Sequence, residues 1–501
     1  MLRSTIWLTT SGVLVKAVDF GFRAFYSARL GSEGMGIFSL CFAVHGIMLN
    51  IATGGLGIAV SKTVSECYVA GRLDDAKKTI RIALTSVSIM SLAVIFLAVI
   101  YSGRIASGFL KEPRCRLSLI CIAPSVLFMG LSYCIKGYFY ATRKILIPAS
   151  SEFLEQAVKL SSITFLLAKL LPRGVEYGCM AVFLGISIGE FSSCIYLLIF
   201  YTLGLRKRGN RMSGTAGPVL APLLKASVPI MTTSLAGSFL RMQEQVLVVS
   251  SLKKTGLLQT EALSVYGAVH GMAMPLIVFP LTLLSSCFTL LVPEISRAYS
   301  MKNRLRLQTL VSRLYRFCAL FGFFVLCVFW IFGEKLSVLV YNTQEISGLL
   351  KILAVISPMM FIDSISSGIL NGMGKQSRLL FFSLLDSGTR IVLIYFLMPR
   401  YGISALLLII IFSNALTFLM TYKSVIKFSE IGVGSFGRVW RHIVTAAFTA
   451  AISVQFFSGQ GTVPETVFEI LVTGGIYFAL SLIFGAAKKS DFGWLLSRMF
   501  F

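Results

Sequence analysis

The feature that most constrains this chain is a run of long apolar stretches separated by short loops that hold most of the charge. A helix that crosses a bilayer needs roughly 20 apolar residues, and it satisfies its backbone hydrogen bonds internally. About fourteen segments meet that requirement: 5–28, 36–60, 80–102, 117–141, 148–168, 178–202, 222–250, 264–290, 309–332, 349–372, 379–398, 401–422, 439–457 and 464–486. Hydrophobic residues make up 56% of the chain and charged residues only 13%, a balance that suits a bilayer and not a water-soluble core. The first stretch, from Ile6 to Phe25, is interrupted by Lys16, Asp19 and Arg23 and lacks a small-residue cleavage site, so it reads as a retained helix.

The formal net charge is +25. Its Lys and Arg sit in short loops, which points to orientation in a membrane and away from nucleic acid. With both termini on the cytoplasmic side, the inner loops hold roughly twice the Lys and Arg of the outer ones. One outer loop runs against this bias, with Arg104, Lys111, Arg114 and Arg116. Segments 61–81 and 294–308 read either as short amphipathic surface helices, with Val64, Cys67, Tyr68 and Ala70 facing lipid, or as ordinary charged linkers. The ten cysteines are scattered through apolar segments without a CxxC pair and read as small buried residues.

The chain also echoes itself. Ala43-Val44-His45-Gly46 returns as Ala268-Val269-His270-Gly271, each followed some way on by an acid, Glu66 or Glu294. Ala123-Pro124, leading into Lys136-Gly137 and Arg143-Lys144, returns as Ser357-Pro358, leading into Asn371-Gly372 and Lys375-Gln376. In a membrane protein such repeats predict two similar bundles with a site between them. The expected fold is therefore an all-α polytopic membrane protein: an N-terminal lobe over 1–212, a C-terminal lobe over 213–428, each of six helices, and two further helices over 429–501. The polar link at 204–220 is the natural boundary.

Ionisable residues inside a spanning helix are costly and mark cavities or partners. Lys16, Asp19 and Arg23 fall on one face of helix 1, and Arg241 and Glu244 repeat the theme on helix 7. A guanidinium forks to two oxygens, so Lys16, Arg23 and Arg241 are candidate ligands for an anionic headgroup such as a lipid diphosphate. The other reading is that Asp19–Arg23 and Arg241–Glu244 are pairs that hold helices together. His45 and His270 are matched candidates for a cavity or a titrating switch, or else satisfied core residues. Glu155, with Glu152 and Lys159, and Asp386 with Arg390 suit helix pairing or ion coupling. Glu190 and Asp363 are isolated acids that suit a coupling cation. Pro124, Pro229, Pro275, Pro280 and Pro358 fall within expected helices and allow bends.

No GxxxxGK[ST], HExxH or GxSxG motif is present, so no enzyme, cofactor or metal is expected. Transport would draw on an ion gradient (Na+ or H+), the membrane potential or the substrate's own gradient.

Several motifs resemble a family. Gly31-Ser32-Glu33-Gly34-Met35-Gly36-Ile37-Phe38 is similar to the loop after helix 1 in the stage V sporulation protein B group. Gly57-Ile58-Ala59-Val60-Ser61-Lys62 with Val64 and Glu66 resembles its helix 2 exit. Gly137-Tyr138-Phe139, Pro148 and Leu154-Glu155-Gln156 resemble its helix 4 to 5 region, and Val292-Pro293-Glu294-Ile295-Ser296 its helix 8 exit. This group lies in the polysaccharide-transporter branch of the multidrug, oligosaccharidyl-lipid and polysaccharide exporters, whose members include the lipid II flippase. The resemblance implies fourteen helices in two lobes that translocate undecaprenyl-diphosphate-linked sugars across the bacterial cytoplasmic membrane. Lys16 and Arg23 match the flippases' basic pattern on helix 1, with Lys16 where an Arg is usual. The expected partners are the lipid-linked sugar, membrane lipids, a coupling ion and envelope-synthesis enzymes. Two alternatives stand: a cation-coupled multidrug exporter of the same fold, which would want an acidic cavity, and a non-transporting membrane scaffold for envelope or spore synthesis.

Overall fold

The computed structural model of the chain describes residues 2–206, 220–288, 292–430, 439–457 and 462–487. They form helices, and no strand occurs among the described residues. In order these are α1 (Leu2–Thr53), α2 (Leu56–Val69), α3 (Leu73–Ile100), α4 (Ser102–Arg104), a π-turn (Ile105–Phe109), α5 (Cys115–Ile122), α6 (Ser125–Ala141), α7 (Leu146–Leu170) and α8 (Val175–Arg206). Then follow α9 (Leu220–Lys254), α10 (Gln259–Tyr266), a π-helix (Gly267–Ala273), α11 (Met274–Phe288), α12 (Val292–Ser300) and α13 (Arg304–Tyr341). The last are α14 (Ser347–Ala354), α15 (Ser357–Gly372), α16 (Gln376–Ser429), α17 (Val439–Phe456) and α18 (Val463–Ile483).

Each expected apolar segment falls largely on described helix, and the end of the one at 264–290 lies outside the described residues. By length and composition, however, eight of the described helices can cross a membrane, or nine when the bent pair α14–α15 counts as one. That pair turns by 55° where Pro358 opens α15. Two of the five expected prolines start helices: Pro124 caps α6 and Pro358 sits in the first turn of α15, while Pro229 lies within α9 and Pro275 and Pro280 within α11. A ring nitrogen without a hydrogen is tolerated in a first turn, where no intrahelical bond is lost.

Two helices exceed one crossing. α1 has 52 residues, or about 78 Å at the helical rise, against roughly 30 Å of hydrocarbon. It is broken only at Gly31 (φ 70°, ψ −178°), and α16 likewise at Gly402 (φ 56°, ψ −130°). The loop expected over Gly31–Phe38 is thus one residue long, and Ser32 to Phe38 are helical. Met35, Ile37 and Phe38 are buried there, which favours continuing the helix over exposing a loop.

The residues group into two compact units, 1–31 with 250–501, and 32–249. This spatial grouping does not follow the sequence repeat, and the expected boundary link at 204–220 lies mostly outside the described residues. In the unit of 32–249, α6 packs on α2, α3 and α8, and α7 runs along α8. Val64 and Cys67 of α2 sit in an apolar cluster with Val60, Ala76, Ala83 and Cys134. They therefore face protein and not lipid, because α2 lies against α3 and α6. In the other unit, α13 packs on α14, α15 and α17. α17 and α18 join it through Leu320, Cys327, Ala446 and Tyr477, with the Tyr477 hydroxyl donating to the Leu320 carbonyl at 3.0 Å. All described cysteines are unpaired, and all but Cys121 are buried.

Gly31 holds a backbone region that only glycine adopts without strain. Gly31→Ala is expected to cost roughly 1–3 kcal/mol, seen as a lower thermal midpoint in detergent. An unchanged midpoint would show that the break tolerates a side chain.

Candidate functional site

In the unit of 1–31 and 250–501, the charged stripe of α1 is anchored on α11. Lys16 Nζ donates to the Thr282 carbonyl at 3.2 Å and lies 3.4 Å from Ser285 Oγ. Phe20 stacks on Phe279 at 4.0 Å. Lys16 and Asp19 are exposed, whereas Arg23 is half-buried. The Arg23 guanidinium lies within electrostatic reach of the Tyr26 and Tyr341 hydroxyls. Its Nε is buried and has no hydrogen-bond partner among the described residues. A buried donor without a partner is expensive, so this nitrogen is available to an oxyanion.

Tyr341 donates to the carbonyl of Met272 at 3.0 Å, in the π-helix that also carries His270. π-helical turns are rare and often lie at functional positions. His270 stacks on Tyr266 (4.8 Å, 24°), feels the charge of Arg390, and has a buried Nδ1 with no partner among the described residues. Arg390 forks onto Asp386 Oδ2 through Nε (3.0 Å) and Nη2 (2.6 Å), and Ser413 donates to the other oxygen. Asp386 is buried. A bidentate, charge-assisted pair with a third donor is what a carboxylate needs in an apolar bundle.

In the unit of 32–249 the repeat motif has a different fate. His45 is buried, and its Nε2 shares a 2.9 Å hydrogen bond with Ser125 Oγ on α6. The matched histidines thus differ: His45 is held by a hydroxyl, and His270 stacks on a ring. Arg241 is exposed and donates to Ser238 Oγ at 3.2 Å, and that oxygen also accepts from Asn50 at 2.7 Å. Glu244, one turn on, is buried. Glu155 lies within electrostatic reach of Glu190 across α7 and α8, and Lys136 pairs with Glu152 at 3.2 Å. Glu190, isolated in sequence, is therefore not isolated in space, and neither is Asp363, which accepts from Thr421 Oγ1 at 2.8 Å.

In the loop expected on the outer side, against the charge bias, one of the four cations is answered locally. Arg114 donates to Glu112 at 2.7 Å and to Glu33 at 2.5 Å, and Glu112 is buried. The Glu112 and Glu33 carboxylates hold the Arg114 guanidinium more firmly protonated than in water, so this cation is spent locally. Sequence reasoning missed Glu112, Ser413 and Tyr341, which no motif marks, and Glu33, which stood within the Gly31–Phe38 motif without a role. Lys136 stood in plain view within the Lys136-Gly137 echo, but its partner lies on another helix.

A chain whose described residues are helical, with long apolar segments broken at glycines and buried carboxylates held by arginine, is a multi-pass membrane protein of the transporter type. Its family model is shown over most of the chain: residues 1–299 match the polysaccharide biosynthesis protein family, and the chain belongs to it. A second model, MatE, matches 229–396. The chain is 24% identical to stage V sporulation protein B of Bacillus subtilis (strain 168), over 98% of this chain and 96% of that one. It shares a fold with the lipid II flippase MurJ in an inward closed conformation (TM-score 0.72, 14% identity, 96% and 98% covered). It also shares one with an inward-facing multidrug resistance MATE family transporter of the MOP superfamily (TM-score 0.64, 13% identity, 83% and 96% covered). These neighbours are a flippase and a transporter, not enzymes.

Removing the Asp386 carboxylate would strand Arg390. Asp386→Ala is expected to lower the thermal midpoint clearly more than Arg306→Ala, which breaks the more exposed 2.9 Å pair with Glu294. Equal effects in thermal unfolding would mean that Arg390 finds water or another partner.

Proposed function

We propose that this protein is a membrane flippase or exporter of an undecaprenyl-diphosphate-linked oligosaccharide, a peptidoglycan or other cell-envelope precursor, and that it works by alternating access. Membership of the polysaccharide biosynthesis family and the fold shared with a lipid II flippase support the class. The observation that carries the substrate reading is Arg23: half-buried, on the same helical face as Lys16, with a buried Nε that no described residue engages. In this reading Arg23 takes the diphosphate, Lys16 and Arg241 add charge, and His270 lines the path, while His45 serves packing through Ser125. Asp19, Glu244, Glu155, Asp386 and Arg390 hold charge balance or couple a Na+ or H+ flow.

The protein lies in the bacterial cytoplasmic membrane with both termini inside. The repeat assigns 1–212 and 213–428 to two lobes and 429–501 to appended helices, fourteen spans in all. Membrane lipids and envelope-synthesis enzymes are its neighbours. The MatE match favours one second reading, a cation-coupled multidrug exporter. A net basic stripe on α1 suits an anion better than a cationic drug.

In proteoliposomes supplied with lipid II, Arg23→Ala is expected to lower translocation roughly 10- to 100-fold, the worth of a charge-assisted bond of about 1.5–3 kcal/mol. Transport and binding left intact by Arg23→Ala with Arg241→Ala would rule out the diphosphate clamp. Tags on the two termini should report the same side of the membrane, and opposite sides would overturn the even number of spans.

A further inference from the structure

At one end of the unit of 1–31 and 250–501, two cations are held against a single ring. Lys375 Nζ lies 4.8 Å from the centroid of Phe428, and the guanidinium carbon of Arg378 lies 4.6 Å from it. Lys375 is the cap residue at the start of α16 and Phe428 lies in its last turn, so the two ends of this helix, broken at Gly402, meet here. Neither cation has an ion pair or a side-chain hydrogen bond among the described residues. Glu430, just past Phe428, is taken by Arg304 at 2.5 Å, and its backbone carbonyl accepts from Gln308 at 2.7 Å. Lys423 and Lys427 add two more exposed cations to the closing turns of α16.

A ring attracts a cation through its quadrupole but neutralises none of its charge. Two cations on one ring repel each other, and the start of a helix is the least favourable end for both. An anion between them removes that cost. Being held over a ring uses up no N–H donor, so the ammonium and the guanidinium keep theirs to give. A guanidinium fork beside a point charge suits the oxygens of a phosphate.

The surface that leads away from the cations decides the kind of anion. Arg378, Phe381, Leu385 and Gly388 follow one another at helical spacing on one face of α16, with Leu384 beside them. Phe381 is 60% exposed, Leu384 46% and Leu385 37%. A Cβ at Gly388 would meet nothing within 4 Å, so the face ends in a notch. From Arg378 to Gly388 the helix rises about 15 Å, half of the roughly 30 Å of hydrocarbon in a bilayer. A free phosphate has no use for an apolar face one leaflet deep, whereas a lipid has. We propose that Lys375 and Arg378, positioned by Phe428, hold the phosphate of an anionic phospholipid whose acyl chain lies along Phe381, Leu384 and Leu385 to the notch at Gly388. The site uses none of the residues assigned to the transported substrate. Its place in the inner leaflet, where anionic lipids gather, rests on the orientation proposed above. Bound there, the lipid offsets the repulsion at the start of α16.

Binding is read on the full chain in neutral detergent, with no lipid II and no transport step, so its failure is distinct from failure of the flippase reading. Native mass spectrometry with added dioleoyl phosphatidylglycerol should show one lipid retained far more tightly than zwitterionic dioleoyl phosphatidylcholine. Lys375→Ala with Arg378→Ala should weaken phosphatidylglycerol binding about 10- to 100-fold. Exchanging the two cations, Lys375→Arg with Arg378→Lys, should restore most of it. Lys254→Ala with Arg400→Ala removes the same charge from exposed positions elsewhere in this unit and should leave binding unchanged. Arg378→Ala alone reads the same contact should the double variant lose its helical signal in circular dichroism. Equal retention of the two lipids, or an equal loss in the two double-alanine variants, would overturn the site. Displacement of the lipid by millimolar inorganic phosphate would overturn the lipid and leave a soluble-anion site.

Discussion

Hydrocarbon offers the backbone no hydrogen bonds and charges no solvation, and this constraint shapes every part of the molecule. The first half of it explains the helices. Breaks between helices must be brief, because every residue outside a helix leaves amide groups to satisfy. α1 and α16 show how brief they can be: each is broken at a single glycine, and helical backbone resumes with the next residue. The same pressure places Pro124 and Pro358 at helix starts, where a missing N–H costs nothing.

The second half explains where the charged residues sit. Arg390 forks onto Asp386, Lys335 meets Glu469 at 2.5 Å, and Lys136 meets Glu152. Such pairs do not add much stability over an apolar contact, but breaking one is costly. The pairs that cross between helices, Lys335–Glu469 and Lys136–Glu152, fix which helices lie together. Arg23 differs. Its Nε is buried without a hydrogen-bond partner among the described residues, within electrostatic reach of two tyrosine hydroxyls. A group that a structure keeps at a cost is the natural place to look for a ligand.

Much of this was legible in the chain. The apolar stretches predict helices, and each lands largely on described helix. Asp386 and Arg390, whose spacing suits helix pairing or ion coupling, bind each other on one helix face. Lys16 and Arg23 were picked out because a cation in an apolar segment needs a reason. What failed did so for one reason, that partners distant in sequence leave no local mark. Val64 and Cys67 looked lipid-facing because periodicity identifies an apolar face but not what covers it. Glu190 looked solitary because Glu155 lies on the neighbouring helix. His45 and His270 carry the same four-letter motif yet sit in an α-helix and a π-helix, since one extra residue in a turn depends on packing and not on the letters.

The sequence by itself therefore determined the class of solvent, the helical content and which charges are costly, because all three follow from hydropathy and spacing along one segment. Tertiary structure alone decided which of those charges are answered. Ser413 answers Asp386, Glu33 answers Arg114, and Thr421 answers Asp363. Each of these contacts joins separate turns or helices, and its energy depends on distances of a few ångströms that no linear pattern encodes.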